Sequence, residues 1–424
     1  MKIYFDNNAT TPVDPQVKEA MDPFLSGLFA NPSSPYESGG QVRRLVEQAR
    51  CHMAQLLGTR SEREIIFTSG GTESNNTAIR SALKLFPHKK KIITSAVEHS
   101  SVKNLCEHLS KEGYHVVSVG VSKAGSFNWN QLIESLGDDV AIVSVMWANN
   151  ETGVLFPIQD IGRELKRRNI LFHVDAVQAI GKIPIHLNKM EIDYLSFSAH
   201  KIHGPKGIGA LYVREGSPFQ AFILGGRQER DRRAGTENVA GIIGLAKALE
   251  LSQDFTPSPP PLKGREDSAK VRGGSAILLG GKGEGKINQI SILRNKLEEE
   301  LVARVDVSFI NGKAEARIPN TTNITIPGIE AETFLIRLSQ LGIEASSGSA
   351  CLTGALEPSH VLMAMGHSRE LASSSLRFSL SRLTTTEQID YALEVVPKLV
   401  CELRKLNEVE NFPPPLWGRT KVGG

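Results

Sequence analysis

Val140-Ala141-Ile142-Val143-Ser144-Val145 is the stretch that decides the fold class of this chain. Its near-continuous apolar character is typical of a central strand that helices cover on both faces. Further short apolar runs lie before and after it, between stretches of helical character: residues 65–68, 91–95, 115–119, 140–147, 171–174, 194–198 and 209–213. This alternation predicts an α/β domain with a largely parallel sheet, which binds its ligand at the carboxyl ends of the strands.

The periodic pattern stops after residue 253, and this predicts a division into segments. Residues 254–286 are rich in proline, glycine and charge, which predicts a flexible insertion. An amphipathic helix over residues 288–302 and a strand over 321–326 then indicate a smaller α+β domain. The predicted segments are an N-terminal stretch packed against the small domain (1–14), a large domain (15–253), the insertion (254–286), the small domain (287–406) and an irregular tail (407–424).

The insertion and the tail share a short sequence. Pro259-Pro260-Pro261-Leu262-Lys263-Gly264-Arg265 recurs almost unchanged as Pro413-Pro414-Pro415-Leu416-Trp417-Gly418-Arg419. Two copies are too few for a solenoid, which stacks several equal repeats. We therefore interpret both as acquired segments outside the fold, and we expect that residues 256–286 can be deleted without loss of folding or activity.

Composition excludes several classes of protein. The 424 residues include 49 Lys and Arg against 46 Asp and Glu, a formal net charge of +3, which does not favour nucleic acid or a membrane surface as partner. Cys51, Cys106, Cys351 and Cys401 are too scattered for a disulfide scaffold or for an intrinsic metal site. Because the first residues lack a signal-peptide pattern and no apolar run is long enough to span a membrane, we expect a cytoplasmic protein.

The first chemical motif is Ile65-Ile66-Phe67-Thr68-Ser69-Gly70-Gly71-Thr72-Glu73-Ser74-Asn75-Asn76. It predicts a strand that passes through a glycine turn into a helix. The start of such a helix offers free backbone N–H groups and the positive end of the helix dipole, so a phosphate fits there. An ordinary turn with an N-cap explains this segment equally well. By itself, the motif identifies no cofactor.

Candidate groups also follow three other predicted strands. Asp175 can pair with a protonated pyridine nitrogen, and Lys201, held away from water, can form a Schiff base. His99 can stack on a ring and move protons. Taken singly, Asp175 would more often cap a helix, Lys201 would more often be solvated, and His99 would more often be structural. The phosphate cradle, Asp175 and Lys201, in this order along the chain, together indicate pyridoxal 5'-phosphate, and His99 falls where another strand end of the site is expected.

At this point the sequence resembles a known family, the class V fold-type I pyridoxal-phosphate enzymes, and among them the nitrogen-fixation-type cysteine desulfurases. The resemblance covers nearly the whole chain apart from the insertion and the tail. It rests on long and unusual strings: Tyr4-Phe5-Asp6-Asn7-Asn8-Ala9-Thr10-Thr11-Pro12, Asn31-Pro32-Ser33-Ser34, Val145-Met146-Trp147-Ala148-Asn149-Asn150-Glu151-Thr152-Gly153 and Arg233-Ala234-Gly235-Thr236-Glu237-Asn238. It implies a large domain with a central, mostly parallel sheet and a smaller α+β domain.

The resemblance implies roles for individual residues. Lys201 would bind the cofactor aldehyde, Asp175 would face the pyridine nitrogen, and His99 would stack on the ring. Asn150 and Gln178 would bond the ring-hydroxyl side. The cofactor and its phosphate would be surrounded by Gly71, Thr72, Ser198, Ala199 and His200. Thr236 would reach the phosphate bound by a neighbouring subunit, which implies a homodimer.

The segment Ala345-Ser346-Ser347-Gly348-Ser349-Ala350-Cys351 indicates the reaction. Small residues before Cys351 suit a mobile loop that carries a thiol, although a buried or incidental cysteine is the alternative. The resemblance makes Cys351 the nucleophile that accepts sulfur, with His99 as our candidate proton acceptor. Arg377, with Asn150, would bind the substrate, because its guanidinium can hold a carboxylate with two bonds.

The predicted function is therefore that of a cysteine desulfurase, which converts L-cysteine to L-alanine and leaves a persulfide on Cys351. The resemblance implies an iron–sulfur scaffold protein as acceptor, a role in nitrogenase cluster maturation, and Cys351 as the one candidate transient ligand of a cluster. The alternatives are a selenocysteine lyase, another class V lyase or aminotransferase, and a catalytically silent sulfur-transfer scaffold. Three departures from the family pattern bear on loop mobility and docking: Leu352 directly after Cys351, the insertion, and the altered carboxyl-terminal tail.

Overall fold

The computed structural model describes residues 2–253, 284–347 and 357–410. Within these residues, a seven-stranded sheet forms the centre of the large domain, with strand order β2-β8-β7-β6-β5-β3-β4. Neighbouring strands are parallel except where β8 lies antiparallel between β2 and β7. The strands are β2 (Ile65–Thr68), β3 (Lys91–Ser95), β4 (His115–Val119), β5 (Val140–Met146), β6 (Leu171–Asp175), β7 (Tyr194–Ser198) and β8 (Gly209–Val213). The predicted α/β class and largely parallel sheet are confirmed.

Helices cover both faces of this sheet, as the apolar strands require. Every residue of β5 is buried. Ile65 and Ile66, which are adjacent in β2, belong to separate hydrophobic clusters on opposite faces, because successive strand residues point in opposite directions. The helices of this domain are α1 (Pro15–Met21), α2 (Pro23–Ser26), α3 (Glu37–Leu57), α4 (Gly71–Leu85), α5 (Ser100–Lys111), α6 (Trp129–Ser135), α7 (Ile158–Arg167), the single turn α8 (Gln228–Asp231) and α9 (Val239–Gln253).

The smaller domain is built on an antiparallel sheet of order β12-β10-β9, with its own hydrophobic cluster. Its strands are β9 (Phe309–Ile310), β10 (Thr321–Thr325) and β12 (Ser375–Ser379). Its helices are α10 (Glu284–Arg304), α11 (Ala331–Gln340) and α14 (Thr386–Glu410). The short helices α12 (His360–Ala364) and α13 (Arg369–Ser373) lie between them in the chain and place Val361, Leu362 and Ala372 in the hydrophobic cluster of the large domain.

Two helices extend a few residues past the predicted segment boundaries. α10 begins at Glu284, inside the predicted insertion, and α14 continues to Glu410, inside the predicted irregular tail. Each extension is a single turn or less that adds glutamate, but also Gly285 or Asn407, to a helix already formed, and no apolar periodicity marks it in the sequence. The remainder of the insertion and of the tail lies outside the described residues.

The N-terminal segment packs on the small domain and then crosses to the large one. β1 (Ile3–Tyr4) pairs in parallel with β11 (Ile343–Glu344), and Asp6 forms a bridge to Ser379 of β12. A few residues later, the Thr11 N–H donates to the His200 carbonyl at 2.9 Å. The segment therefore joins both domains beside the carboxyl end of β7. None of the described helices combines the length and the apolar character needed to cross a membrane.

Candidate active site

The order of the strands brings most of the predicted site residues to one edge of the large sheet. Asp175 is the last residue of β6, and Lys201 lies in a 3-10 turn (Ala199–Lys201) directly after β7. His99 and Asn150 follow β3 and β5. Because these strands are parallel, their carboxyl ends share one edge, and a ligand bound there can contact residues that are far apart in sequence.

Lys201 places an amine at this edge of the sheet. Its Nζ donates to the backbone carbonyls of Asn8 at 2.6 Å and Ala9 at 2.7 Å. Burial, followed by the positive charge of Arg377, lowers the pKa of the Lys201 amine to about 8, although Asp6 and nearby Asp175 act in the opposite direction. Roughly a tenth of the amine is therefore unprotonated near pH 7, and such an amine can act as a nucleophile toward an aldehyde.

Asp175 is a buried carboxylate whose direction is fixed by two donors. Its Oδ1 accepts from the Val177 N–H at 3.0 Å, and its Oδ2 accepts from Asn75 Nδ2 at 2.7 Å. Asn75 also donates to Ser101 Oγ at 2.8 Å, while its own Oδ1 is buried and has no partner among the described residues. Asn75 was missed as a site residue, although it lies about one helical turn after Gly71 within the predicted cradle.

His99 is the N-cap residue of α5 and is exposed to solvent. Its Nδ1 accepts from the Ser101 N–H at 3.2 Å, so the proton of the neutral ring lies on Nε2. Partial removal of water from the ring, together with the charges of Lys201 and His360, lowers the pKa of His99, whereas Asp175 opposes this shift. His99 is therefore a neutral imidazole that must give up its bond to Ser101 before Nδ1 can take a proton.

The predicted phosphate cradle has the expected strand–turn–helix form. Gly70 precedes α4 with a φ of 154°, a conformation that glycine adopts readily. Ser198 Oγ lies above this turn, since a Cβ on Gly70 would be 3.7 Å from it. Gly209 permits the close approach of β8, because a Cβ there would be 2.7 Å from the Gly70 Cα. Gly71 and Thr72 thus begin a helix whose first N–H groups have no carbonyl partner within the helix.

Thr236 lies on an exposed loop that is tied to the same helix. Arg233, three residues earlier, pairs with Glu73 of α4, with 2.9 Å between Arg233 Nε and Glu73 Oε1. This ion pair holds the loop beside the cradle of its own chain. Thr236 itself is exposed, and its predicted contact with a neighbouring subunit stays a prediction.

Arg377, in β12, is buried and already engaged. Its Nη2 pairs with Asp6 Oδ1 at 2.5 Å, and its Nη1 donates to the Asn150 carbonyl at 3.0 Å. Its Nε is buried without a partner among the described residues. A substrate carboxylate must therefore compete with Asp6 for this guanidinium.

The remaining predicted cofactor residues are bonded within the protein. Gln178 donates from Nε2 to the Asn8 carbonyl at 2.9 Å and accepts from Lys182 Nζ at 2.6 Å. His200 contacts Thr10 Oγ1 through Nδ1 at 3.2 Å, and burial, followed by Lys201, lowers its pKa to about 4. Ala199 is fully buried behind the turn that carries Lys201.

Cys351 lies outside the described residues, but the described residues that flank its segment are fixed at the site. On one side, Ser346 exchanges backbone hydrogen bonds with Arg377 at 3.2 and 2.5 Å. On the other side, His360 Nε2 bonds to the Glu98 carbonyl at 2.9 Å. Glu98 precedes His99, so the segment that contains Cys351 leaves and rejoins the fold beside two of the predicted site residues.

These groups fit pyridoxal phosphate at three points. A free helix start and the Ser198 hydroxyl match a phosphate, buried Asp175 matches a protonated pyridine nitrogen, and Lys201 matches an aldehyde. Asn75, which bonds to Asp175, also has a buried Oδ1 without a partner among the described residues. The residues at this edge therefore fit the chemical groups of this cofactor.

Comparisons with known proteins agree over almost the whole length of the chain. The aminotransferase class-V family model matches residues 3–257 and 284–392. A cysteine desulfurase of Trichormus azollae is 48% identical over 409 residues, which cover 96% of this chain and 95% of that protein. The cysteine desulfurase NifS of Azotobacter vinelandii is 46% identical over 405 residues, which cover 96% and 94%. A solved structure of a NifS-like protein superimposes with a TM-score of 0.83 at 37% identity and covers 95% of this chain and 100% of that one.

Three features define an enzyme of the fold-type I class, the class of the pyridoxal-phosphate-dependent transferases: the sheet, the lysine after β7 and the buried carboxylate at the end of β6. The sequence matches identify the family within this class. The chain belongs to the class-V aminotransferase family and, within that family, to the cysteine desulfurases. The family predicted from the sequence motifs is confirmed.

Proposed function

We propose that this protein binds pyridoxal 5'-phosphate through Lys201 and transfers sulfur from L-cysteine to Cys351, with release of L-alanine. The observation that carries the proposal is the Lys201 amine, whose pKa is lowered to about 8, at the same sheet edge as the buried Asp175 carboxylate. When bound, the cofactor supplies an aldehyde and an electron-withdrawing ring that stabilises negative charge at the α-carbon of the substrate.

Several side chains bind and orient the cofactor in this proposal. Asp175, fixed by Asn75 and the Val177 N–H, keeps a negative charge toward the pyridine nitrogen. The start of α4, with Gly71 and Thr72, and the Ser198 hydroxyl bind the phosphate. Ala199 and His200 shape the turn that carries Lys201, His99 covers the ring, and Asn150 and Gln178 face its hydroxyl side.

Substrate binding and proton transfer fall to Arg377 and Lys201. Arg377 exchanges its bond to Asp6 for the carboxylate of L-cysteine, and Asn150, whose carbonyl already bonds to Arg377, helps to define this position. Lys201 takes the α-proton at Nζ after it has exchanged places with the substrate amine. A lysine pKa of about 8 suits this task, because the same group must accept and return a proton near neutral pH.

Cys351 performs the sulfur transfer as a thiolate. Its sulfur forms a bond to the substrate sulfur while the Cβ–S bond of the substrate breaks. The carbon product takes up a proton and leaves as alanine, and the transferred sulfur remains on Cys351 as a persulfide. His99 is the proposed acceptor of the Cys351 proton, since its lowered pKa keeps the ring neutral.

The proposal includes the setting in which the enzyme works. It acts in the cytoplasm as a homodimer in which Thr236 of one subunit contacts the cofactor phosphate of the other. Its persulfide passes to an iron–sulfur scaffold protein. The similarity to the NifS of Azotobacter vinelandii supports a role in the maturation of nitrogenase clusters.

The test is a visible spectrum of the purified protein before and after addition of L-cysteine, with alanine and persulfide measured together. The parent should show a chromophore that L-cysteine changes, and it should form alanine and transferable sulfur in equal amounts. Cys351→Ala should retain the spectral change but release no alanine, whereas Cys401→Ala, at an exposed cysteine, should behave like the parent. A colourless parent, or alanine release by Cys351→Ala at the parental rate, would contradict the proposal.

A further inference from the structure

Asn8 is a buried residue of the N-terminal segment that bonds to the small domain through several atoms. Its N–H donates to Ser379 Oγ at 2.9 Å, and its Nδ2 donates to Thr321 Oγ1 at 2.8 Å. Its Oδ1 accepts from Asn320 Nδ2 at 3.2 Å. These bonds reach both β10 and β12, so the side chain is fixed to the small sheet.

The same residue bonds to the large domain. Its carbonyl accepts from Lys201 Nζ at 2.6 Å and from Gln178 Nε2 at 2.9 Å. Its Nδ2 also donates to the Asn150 carbonyl at 3.1 Å, and its Oδ1 accepts from Lys182 Nζ at 2.9 Å. All four polar atoms of Asn8 are therefore engaged, and three of its partners are predicted site residues.

Lys182 bonds to the side chains of both Asn8 and Gln178. Its amine is buried, and the only hydrogen bonds between it and the described side chains go to Asn8 Oδ1 and to Gln178 Oε1. Burial, with the charges of Lys201 and Arg377, lowers the pKa of Lys182 well below its ordinary value. Lys182 has no role in the proposed chemistry, but its two bonds determine which way the Asn8 and Gln178 amides face.

We propose that Asn8 is a positioning residue that, by joining the two domains, holds its carbonyl where it receives the Lys201 amine whenever that amine is not bound to the cofactor. The proposal rests on the proposed role of Lys201. During turnover the substrate amine displaces Lys201, and the displaced Nζ needs a defined place from which it can return. The carbonyls of Asn8 and Ala9 provide that place.

A measurable consequence is the acidity of Lys201 in the cofactor-free protein. Carbonyl acceptors stabilise an ammonium group and raise its pKa. Substitution of Asn8 by Ala should displace the carbonyl while the β1–β11 pairing and Thr11 keep the segment in place, so burial of Lys201 persists but one acceptor is lost. The pKa of Lys201 should then fall. Asn8→Ala also removes one of the two acceptors of Lys182, which keeps Gln178 Oε1. The other charged or titratable groups that act on this region have no side-chain bond to Asn8: Asp6, His99, Asp175, His200 and Arg377.

The experiment uses the full chain after removal of the cofactor, and compares Asn8→Ala with Asn7→Ala. Asn7 is an equally buried asparagine whose Nδ2 donates to the Tyr4 and Ser379 carbonyls and has no hydrogen bond to Lys201. Competitive acylation with a small anhydride, read at the Lys201 peptide by mass spectrometry across the lysine titration range, gives the midpoint for each protein. A midpoint lowered by about one pH unit makes acylation about tenfold faster below that midpoint. We expect this in Asn8→Ala only.

A second variant covers the case in which Asn8→Ala does not fold. Asn8→Asp keeps the size of the side chain and its acceptor for Lys182, but it adds a negative charge near Lys201, so its midpoint should rise. An unchanged or raised midpoint in folded Asn8→Ala, an equal shift in Asn7→Ala, or an unchanged midpoint in Asn8→Asp would overturn the positioning role. Capture of pyridoxal phosphate by parental Lys201, followed by borohydride reduction, tests the proposed function separately. If the parent captures the cofactor and the Asn8 variants show no shift, only this inference fails.

Discussion

At the scale of single residues, the surroundings of Lys201 set the pKa of its amine. An exposed lysine is almost fully protonated at neutral pH, whereas burial and Arg377 bring the pKa of Lys201 to about 8. We expect that Lys201→Ala will bind no cofactor covalently and form no alanine, because the described site offers no second amine in the same turn. The measurement is borohydride reduction followed by mass spectrometry of the labelled peptide. Lys206→Ala, at an exposed lysine five residues later, should retain both properties; alanine formation by Lys201→Ala at the parental rate would refute the assignment.

Glu98, the neighbour of His99, predicts a pH dependence of stability. Its Oε1 accepts from Ser95 Oγ at 2.5 Å and from the Met146 N–H at 2.9 Å, and its Oε2 is buried without a partner among the described residues. Burial, with Asp175 adding to it, raises the pKa of Glu98 from 4.5 to about 8. The folded protein therefore keeps a proton that the unfolded chain loses. The stabilisation that the protonated Glu98 gives the folded protein is complete below pH 4.5 and is lost as the pH rises toward 8.

Glu98→Gln should remove this dependence, because the amide keeps the Oε1 acceptor and cannot ionise. The free energy of unfolding in urea, measured across this pH window, should fall less steeply with pH in the variant than in the parent. Glu107→Gln, at an exposed glutamate of α5, should leave the slope as it is in the parent. Parallel curves for parent and Glu98→Gln would show that Glu98 is ionised in the folded protein.

The sequence predicts the site residues that depend on local order and misses those that depend on distant contacts. The positions of Lys201, Asp175 and His99 at one sheet edge could be predicted because each follows an apolar run, and parallel strands place their carboxyl ends together. The roles of Asn75 and Asn8 could not, since their partners are about 100 to 370 residues away and no local periodicity encodes such a contact. Arg377 was predicted as a substrate-binding residue, but its pairing with Asp6 required the fold.

At the scale of secondary-structure elements, the turn α8 combines strain with a buried ion pair. Glu229, Arg230 and Asp231 all have positive φ, at 48°, 59° and 63°, and each such non-glycine residue costs of order 1–3 kcal/mol. Glu229 offsets this through Arg50 of α3, with both of their N–O distances at 2.7 Å, and through the Phe67 N–H of β2 at 2.9 Å. The pair anchors the turn from which the Thr236 loop begins.

Glu229→Ala should therefore be strongly destabilising, by about 3–5 kcal/mol, because it leaves the Arg50 guanidinium buried without its main partner. Glu47→Ala is the comparison, since Glu47 also pairs with Arg50, and with Arg230 of the turn, but is only half-buried, and its loss should cost less than about 1 kcal/mol. Urea unfolding of both variants measures the two values. Equal losses would show that the buried pair does not stabilise the turn.

At the scale of the whole molecule, the insertion should be dispensable. The family match omits residues 258–283, and α10 begins directly afterwards at Glu284. Replacing residues 258–283 with a short Gly/Ser bridge should preserve the thermal melt, cofactor content and alanine formation. The entropic cost of closing a flexible loop changes by only about 0.6 kcal/mol for each doubling of its length.

A longer deletion, of residues 258–290, provides the contrast because it removes Ile290 from the core of the small domain. This variant should melt at a lower temperature than the parent, while the shorter deletion should not. An insoluble or cofactor-free product from the shorter deletion would mean that the insertion is an integral part of the fold. The sequence alone did not predict that α10 begins at Glu284 rather than near residue 287, and the shorter deletion depends on this start.

The N-terminal segment has a consequence for how the protein is made. Ile3 leaves the ribosome long before its partner Ile343, which emerges only after the whole large domain has been synthesised. At about 5–20 residues per second, the first strand waits roughly 20–70 s for its neighbour. The large sheet can form in that interval with Lys201 and Asp175 already in it, yet the Asn8 carbonyl cannot be fixed until β12 emerges. A nascent chain that is released early therefore has Lys201 and Asp175 in place but lacks an Asn8 carbonyl fixed beside them, so a segment that is translated early takes its place late.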